Sequence, residues 1–163
     1  MDKSKSIALL NDAVADELQA VHQYMYFHFH LDDQGLGPLS TLFKRIAIQE
    51  MGHVEHLAER ILFLGGDVAM AVAGPVEQIQ DPQQILAKAA QMEDESARDY
   101  NESAIACGKN ADAASKQIFE QLVKDEEGHF DEFDKQMGNI QKFGLSYLAL
   151  QSFNPMPGET PQG

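Results

Sequence analysis

Along four long stretches of this 163-residue chain, apolar residues recur in steps of three and four. That is the period of one buried helix face, not the alternation of a strand. The pattern predicts helices over 5–33, 38–64, 81–107 and 111–137, and a short amphipathic helix over 143–152. Gly35, Gly37 and Pro38 separate the first two helices, and Gly65-Gly66 ends the second. Asp81 is the expected N-cap of the third, with Pro82 at its first turn. The turns between helices one and two and between three and four are short, so each pair forms an antiparallel hairpin. The connection over 67–80 is long enough to cross the length of a bundle. The expectation is therefore all-α: a four-helix bundle with a long crossover between helices two and three and a short C-terminal fifth helix. One domain spans 1–152, and the Pro- and Gly-rich segment 153–163 is expected to be a disordered tail.

The apolar stripes are interrupted by acids at matching places. In helix one the stripe runs Leu10, Val14, Glu17, Val21, Tyr24, His28 and Leu31; in helix two, Leu39, Phe43, Ile46, Glu50, His53, Leu57 and Leu64. In helix three it runs Leu86, Ala90, Glu93, Ala97, Tyr100 and Ala104; in helix four, Ile118, Leu122, Glu126, His129 and Phe133. Each helix thus points a carboxylate into the core near its midpoint. Glu50 opens Glu50-Met51-Gly52-His53, and Glu126 opens Glu126-Glu127-Gly128-His129. Both lie at the same separation from the lone stripe acid before them, Glu17 and Glu93. Residues i and i+3 share a helix face, so each Glu-x-x-His offers a carboxylate and an imidazole to one point. Four buried acids without partners are prohibitively costly, whereas two divalent cations balance their charge. Carboxylate and imidazole ligands suit iron or manganese and admit zinc.

Composition narrows the function classes. The formal net charge is −14, opposite in sign to a nucleic-acid binder. No apolar run approaches the ~20 residues of a membrane span, and the polar start Met1-Asp2-Lys3-Ser4-Lys5-Ser6 does not read as a signal peptide. A cytoplasmic protein with neither nucleic-acid nor membrane partner is expected. Cys107 is the single cysteine, which excludes an internal disulfide and a four-cysteine metal site.

With its ligand pattern and several further motifs, the chain resembles the ferritin superfamily and, within it, the bacterioferritins. The resemblance covers about 5–152. It includes Ala20-Val21-His22-Gln23-Tyr24, Glu59-Arg60-Ile61-Leu62-Phe63-Leu64, Asp125-Glu126-Glu127-Gly128-His129 and Gly144-Leu145-Ser146-Tyr147-Leu148. It implies a di-iron ferroxidase that oxidises Fe(II) to Fe(III) with dioxygen or hydrogen peroxide. Glu50 and Glu126 bridge the two irons, Glu17 and His53 complete one, and Glu93 and His129 complete the other. Tyr24 matches a tyrosine bacterioferritins keep near that centre. The resemblance also implies mineral storage in a hollow homo-oligomer of twenty-four subunits, with a ferredoxin or reductase as partner for iron release.

Met51 follows a ligand by one residue, so it lies ~100° round helix two and faces outward. By the resemblance it is a haem ligand, one from each of two subunits across a two-fold axis. Where some bacterioferritins place a histidine and an aspartate for an inner-surface iron site, this chain has Arg45 and Gln49, so that site is not expected here. His22, His28, His30 and His56 are read as surface or interface residues.

Rival readings differ in what they require. A DNA-protecting miniferritin needs a ferroxidase between subunits and usually a basic tail; a rubrerythrin-like peroxidase normally carries a module built on four cysteines, which a single cysteine excludes. A di-metal peroxidase or catalase-like enzyme remains compatible with the ligand chemistry. So does a haem-bridged electron-transfer dimer with little storage.

Overall fold

The protein is described here by a computed structural model over residues 1–153. Five helices follow in order: α1 (Lys3–Asp33), α2 (Gly37–Leu64), α3 (Pro82–Lys109), α4 (Ala113–Phe143) and α5 (Ser146–Phe153). Asp2 caps α1 by accepting from the Ser4 amide, and Asp81 caps α3 by accepting from the Gln84 amide, with Pro82 in the first turn as expected. Gly65, at φ 84°, closes α2 in the left-handed conformation that glycine adopts without strain.

Long contacts join α1 to α2 and α3 to α4, and the two hairpins meet through α1–α3 and α2–α4. The crossover is fastened to α1 by amide side chains. Asn11 donates to the Asp67 carbonyl at 3.0 Å and accepts from the Ala69 amide at 2.8 Å. Gln19 pairs in the same way with Pro75 and Gly74, and Gln23 with the carbonyl and amide of Glu77. Gln34 donates to the Gln80 carbonyl. Side-chain amides thus stand where a neighbouring strand's backbone would otherwise satisfy this extended segment. Its contacts ascend α1 from Asn11 to Gln34, about 35 Å of helix, which extended chain covers in far fewer residues. The crossover therefore returns the chain to the far end of α1, and α3 descends antiparallel to α1.

Two apolar clusters fill the bundle, one built on Tyr24, Phe27, Phe43 and Phe133, the other on Leu10, Leu57, Tyr100 and Phe119. The six stripe acids and histidines lie in the same interior, none more than 7% exposed.

Several expectations need correction. Helix α4 begins at Ala113, not 111: Ala111 takes a positive φ of 56°, and Asp112 caps the helix by accepting from the Ser115 amide. It also runs past Met137 to Phe143, because Gly138 costs only about 1 kcal/mol in a helix and Ile140 one half-turn later is buried in the core. Phe143 consequently ends α4 instead of starting α5, and the turn is made at Gly144 with φ 77°. On α1, Val21 and His28 are only partly buried, while Ala13, Ala20 and Phe27 take core positions. Partly buried Ile118 likewise yields to Phe119 in α4. The expected tail at 154–163 lies outside the described residues; Phe153 itself ends α5.

Candidate metal centre

The four midpoint acids and both histidines converge between the two apolar clusters. Glu17 comes from α1, Glu50 and His53 from α2, Glu93 from α3, and Glu126 and His129 from α4. They form two overlapping groups of ligand atoms, each within 4.8 Å: Glu17, Glu50, His53 and Glu126, and Glu50, Glu93, Glu126 and His129. Glu50 and Glu126 belong to both. Nδ1 of His53 lies 2.9 Å from Glu50 Oε2 and 3.2 Å from Glu17 Oε2. Nδ1 of His129 lies 3.1 Å from the other oxygen of Glu50, Oε1, and 3.5 Å from Glu93 Oε2. Glu50 therefore turns one oxygen toward each imidazole.

Both Glu50 oxygens, Glu93 Oε2, Glu126 Oε1 and His129 Nδ1 are buried yet lack an aligned hydrogen bond. Buried polar atoms are seldom left so. Glu126 and Glu17 are pushed upward, by burial first and then by neighbouring carboxylates, Glu17 to about 8. Burial acts upward on Glu50 as well, but the imidazoles of His129 and His53 bring it down to about 2. Burial depresses the imidazoles, and the surrounding carboxylates more than reverse it: His53 is raised well above its ordinary value and His129 to about 10. Protons thus hold together, in the metal-free protein, a charge cluster that two divalent cations fit. The donor set of oxygens and imidazole nitrogens, without sulfur, suits iron or manganese.

Two buried phenols touch the cluster. Tyr24 donates to Glu93 Oε1, and Tyr100 donates to Glu17 Oε1 at 2.6 Å. Burial and the adjacent carboxylates push both phenols above their ordinary range, so they remain donors. On the outer side of His53, Nε2 is 3.4 Å from Asp125 Oδ2, facing a cavity also lined by His56, Gln121 and Lys124. Sequence reasoning placed Tyr100 on the stripe but missed its bond to Glu17, and it missed Asp125. The one signal was spacing: Tyr100 follows Glu93 by the same interval as Tyr24 follows Glu17.

Met51 stands apart, 52% exposed on the outer face of α2 near exposed Ile48. Arg45 is engaged with Glu132 and with Gln49, its Nη1 donating to Gln49 Oε1 at 3.2 Å. His22 and His56 are exposed; His28 and His30 are partly buried, with His28 Nδ1 2.8 Å from the Ser40 hydroxyl.

Residues 7–143 match the model of the ferritin-like domain. A bacterioferritin of Desulfovibrio desulfuricans is 37% identical over 94% of this chain and 86% of its own, and one of Rhodobacter capsulatus is 34% identical over 94% and 95%. Among solved structures, the D. desulfuricans bacterioferritin, whose di-iron site was studied in different catalytic states, superposes with a TM-score of 0.91 at 35% identity, covering 99% of this chain and 95% of that one. The R. capsulatus bacterioferritin, with a metal-free dinuclear site and its haem iron in a crystallographic special position, gives 0.89 at 32% identity over 98% and 99%.

Proposed function

Because this chain belongs to the bacterioferritins, with a ferritin-like domain over residues 7–143, we propose that it oxidises Fe(II) at the buried centre and stores the product in a homo-oligomeric cage. The observation that carries this reading is the doubly shared Glu50, one oxygen toward His53 and the other toward His129. Glu17 and His53 would hold one ion and Glu93 and His129 the other, with Glu50 and Glu126 common to both groups of ligand atoms. Iron bound there supplies electrons to dioxygen or hydrogen peroxide. The protein's part is to bring two ions together, neutralise them with four carboxylates and keep bulk water out of the interior. His53 and His129 give up protons as they become ligands, which couples metal uptake to pH.

Iron is substrate and cargo in this reading. The cage is a 24-subunit homo-oligomer acting in the cytoplasm, with a ferredoxin or reductase as partner for iron release. Assembly is supported by the large apolar side chains left outside the protomer: Phe63, Leu62 and Leu150 are all at least 60% exposed, and Phe153 is 81% exposed. No helix among the described residues is long and apolar enough to cross a membrane.

Haem binding is assigned to Met51 at a two-fold interface. The residues fit the group: a thioether donor projects outward beside apolar Ile48, and at neighbouring Gly52 a Cβ would meet nothing within 4 Å. Met51 would hold the haem iron through its thioether, together with the same methionine of a partner copy.

Native mass measurement combined with iron and haem analysis tests the assignment. A 24-subunit particle that takes up many irons per subunit upholds storage. A dimer that oxidises iron but retains no mineral would support the haem-bridged electron-transfer reading instead.

A further inference from the structure

The spacing that repeats between the two halves of the chain includes a tyrosine. Tyr24 follows Glu17 by seven residues, and Tyr100 follows Glu93 by seven. Seven residues are two helical turns, so each tyrosine stays on its glutamate's stripe, one ~10 Å step along the axis. Neither tyrosine bonds its own helix's acid. Because α1 and α3 run antiparallel, each is level with the acid of the other helix. Tyr24 of α1 donates to Glu93 of α3, and Tyr100 of α3 donates to Glu17 of α1.

In both pairs the phenol takes Oε1 and leaves Oε2 for the centre. Glu17 Oε2 lies 3.2 Å from His53 Nδ1, and Glu93 Oε2 lies 3.5 Å from His129 Nδ1. Glu93 Oε2 has no hydrogen-bond partner, as expected of an atom reserved for a ligand. Tyr100 is 2% exposed and Tyr24 is fully buried, so the rings cannot swing away. Phe119 packs against the Tyr100 ring at a centroid distance of 6.0 Å, and Phe43 and Phe133 pack against Tyr24 at 5.7 Å each.

We propose that Tyr100 is a positioning residue for the metal centre, forming with Tyr24 a reciprocal brace that confines each terminal glutamate to single-oxygen coordination through Oε2. The inference rests on the di-metal reading above. The brace makes the two half-sites alike: each has one imidazole, one terminal oxygen and a share of Glu50 and Glu126. It also binds the two hairpins to each other at the level of the site, because α1 and α3 belong to different hairpins.

The test is cobalt(II) titration of the full-length, metal-free assembly, read by visible absorption, which weakens as the coordination number of the ion rises. Wild type takes two Co(II) per subunit. Y100F keeps the ring and loses only the hydroxyl, and one of its two ions binds about ten- to a hundred-fold more weakly, with reduced absorption from that ion as Glu17 turns bidentate. Y24F does the same to the other ion, and the double variant affects both. A Y100F titration and spectrum that superimpose on wild type overturn the brace while leaving the di-metal centre standing. Fewer than two Co(II) per wild-type subunit overturn the di-metal reading and the brace with it. If Y100F does not assemble, a cobalt-loaded crystal structure of wild type decides: Glu17 bound through Oε2 alone upholds the proposal, and Glu17 chelating one ion through both oxygens overturns it.

Discussion

Nε2 of His53 lies 3.4 Å from Asp125 Oδ2, on the side of the ring opposite the carboxylate cluster. Asp125 is itself held by Gln121, whose Nε2 donates to Oδ1 at 2.9 Å. The ion-pair contacts of His129, by contrast, all run through Nδ1 toward the centre. A carboxylate on the far nitrogen of a ligating histidine fixes its ring and raises its basicity. Asp125→Asn is expected to weaken one of the two metal ions by about ten-fold and leave the other unchanged. Competition against a zinc chelator, resolved into two steps, checks this; equal loss at both steps would contradict it.

Glu126 is buried and held above its ordinary range by burial and by Glu17 and Glu50. Glu126→Ala removes a shared ligand and should abolish fast aerobic Fe(II) oxidation in stopped-flow measurements. Unchanged oxidation kinetics would sink the ligand assignment.

Met51 lies outside both groups of buried ligand atoms and stands 52% exposed. Met51→Leu should remove haem absorption from protein reconstituted with haem, while Fe(II) oxidation remains within about two-fold of wild type, as surface changes away from a site usually permit. A wild-type spectrum without a Soret band after reconstitution would count against the assignment.

Metal uptake should strengthen as pH rises. Glu17 near 8 and His129 near 10 carry protons in the metal-free protein at neutral pH, and binding must displace them. Calorimetry in buffers of different ionisation enthalpy should show protons released on binding. Heat independent of buffer would contradict it.

Asp112, 2% exposed, receives the Arg60 Nη2 hydrogen bond at 2.6 Å and caps α4. Burial acts to raise its carboxyl, but hydrogen bonds from Ser6, Ser115 and Arg60 prevail and hold it at about 2, below its ordinary 3.8. A carboxyl so lowered stabilises the fold above the ordinary value, and the contribution disappears as pH falls through the folded value. Asp112→Ala should therefore cost ~3 kcal/mol at pH 7, because it also strands the Arg60 charge. The gap to wild type should narrow between pH 4 and pH 2. Denaturant midpoints across that range measure it.

Much of this molecule is local in origin and therefore legible along the chain. Helix faces follow from the 3.6-residue period, and Glu50 with His53, like Glu126 with His129, reaches one point because i and i+3 share a face. The hairpins and the crossover follow from loop length, and charge balance among four inward acids calls for cations wherever the helices meet. Where α4 ends was less legible, since Gly138 is a weak stop and the burial of Ile140 outweighs it.

Other features depend on how one helix is registered against another. The pairing of Gln23 with the Glu77 backbone, the bond from Tyr100 to Glu17 and the contact of Asp125 with His53 span 54, 83 and 72 residues. No periodicity within one segment specifies such pairs. Sequence by itself set which residues face inward and which atoms can bind metal. The tertiary structure decided which oxygen of Glu17 and of Glu93 is taken by a phenol and which is left facing a histidine, because that choice is made by the antiparallel register of α1 and α3.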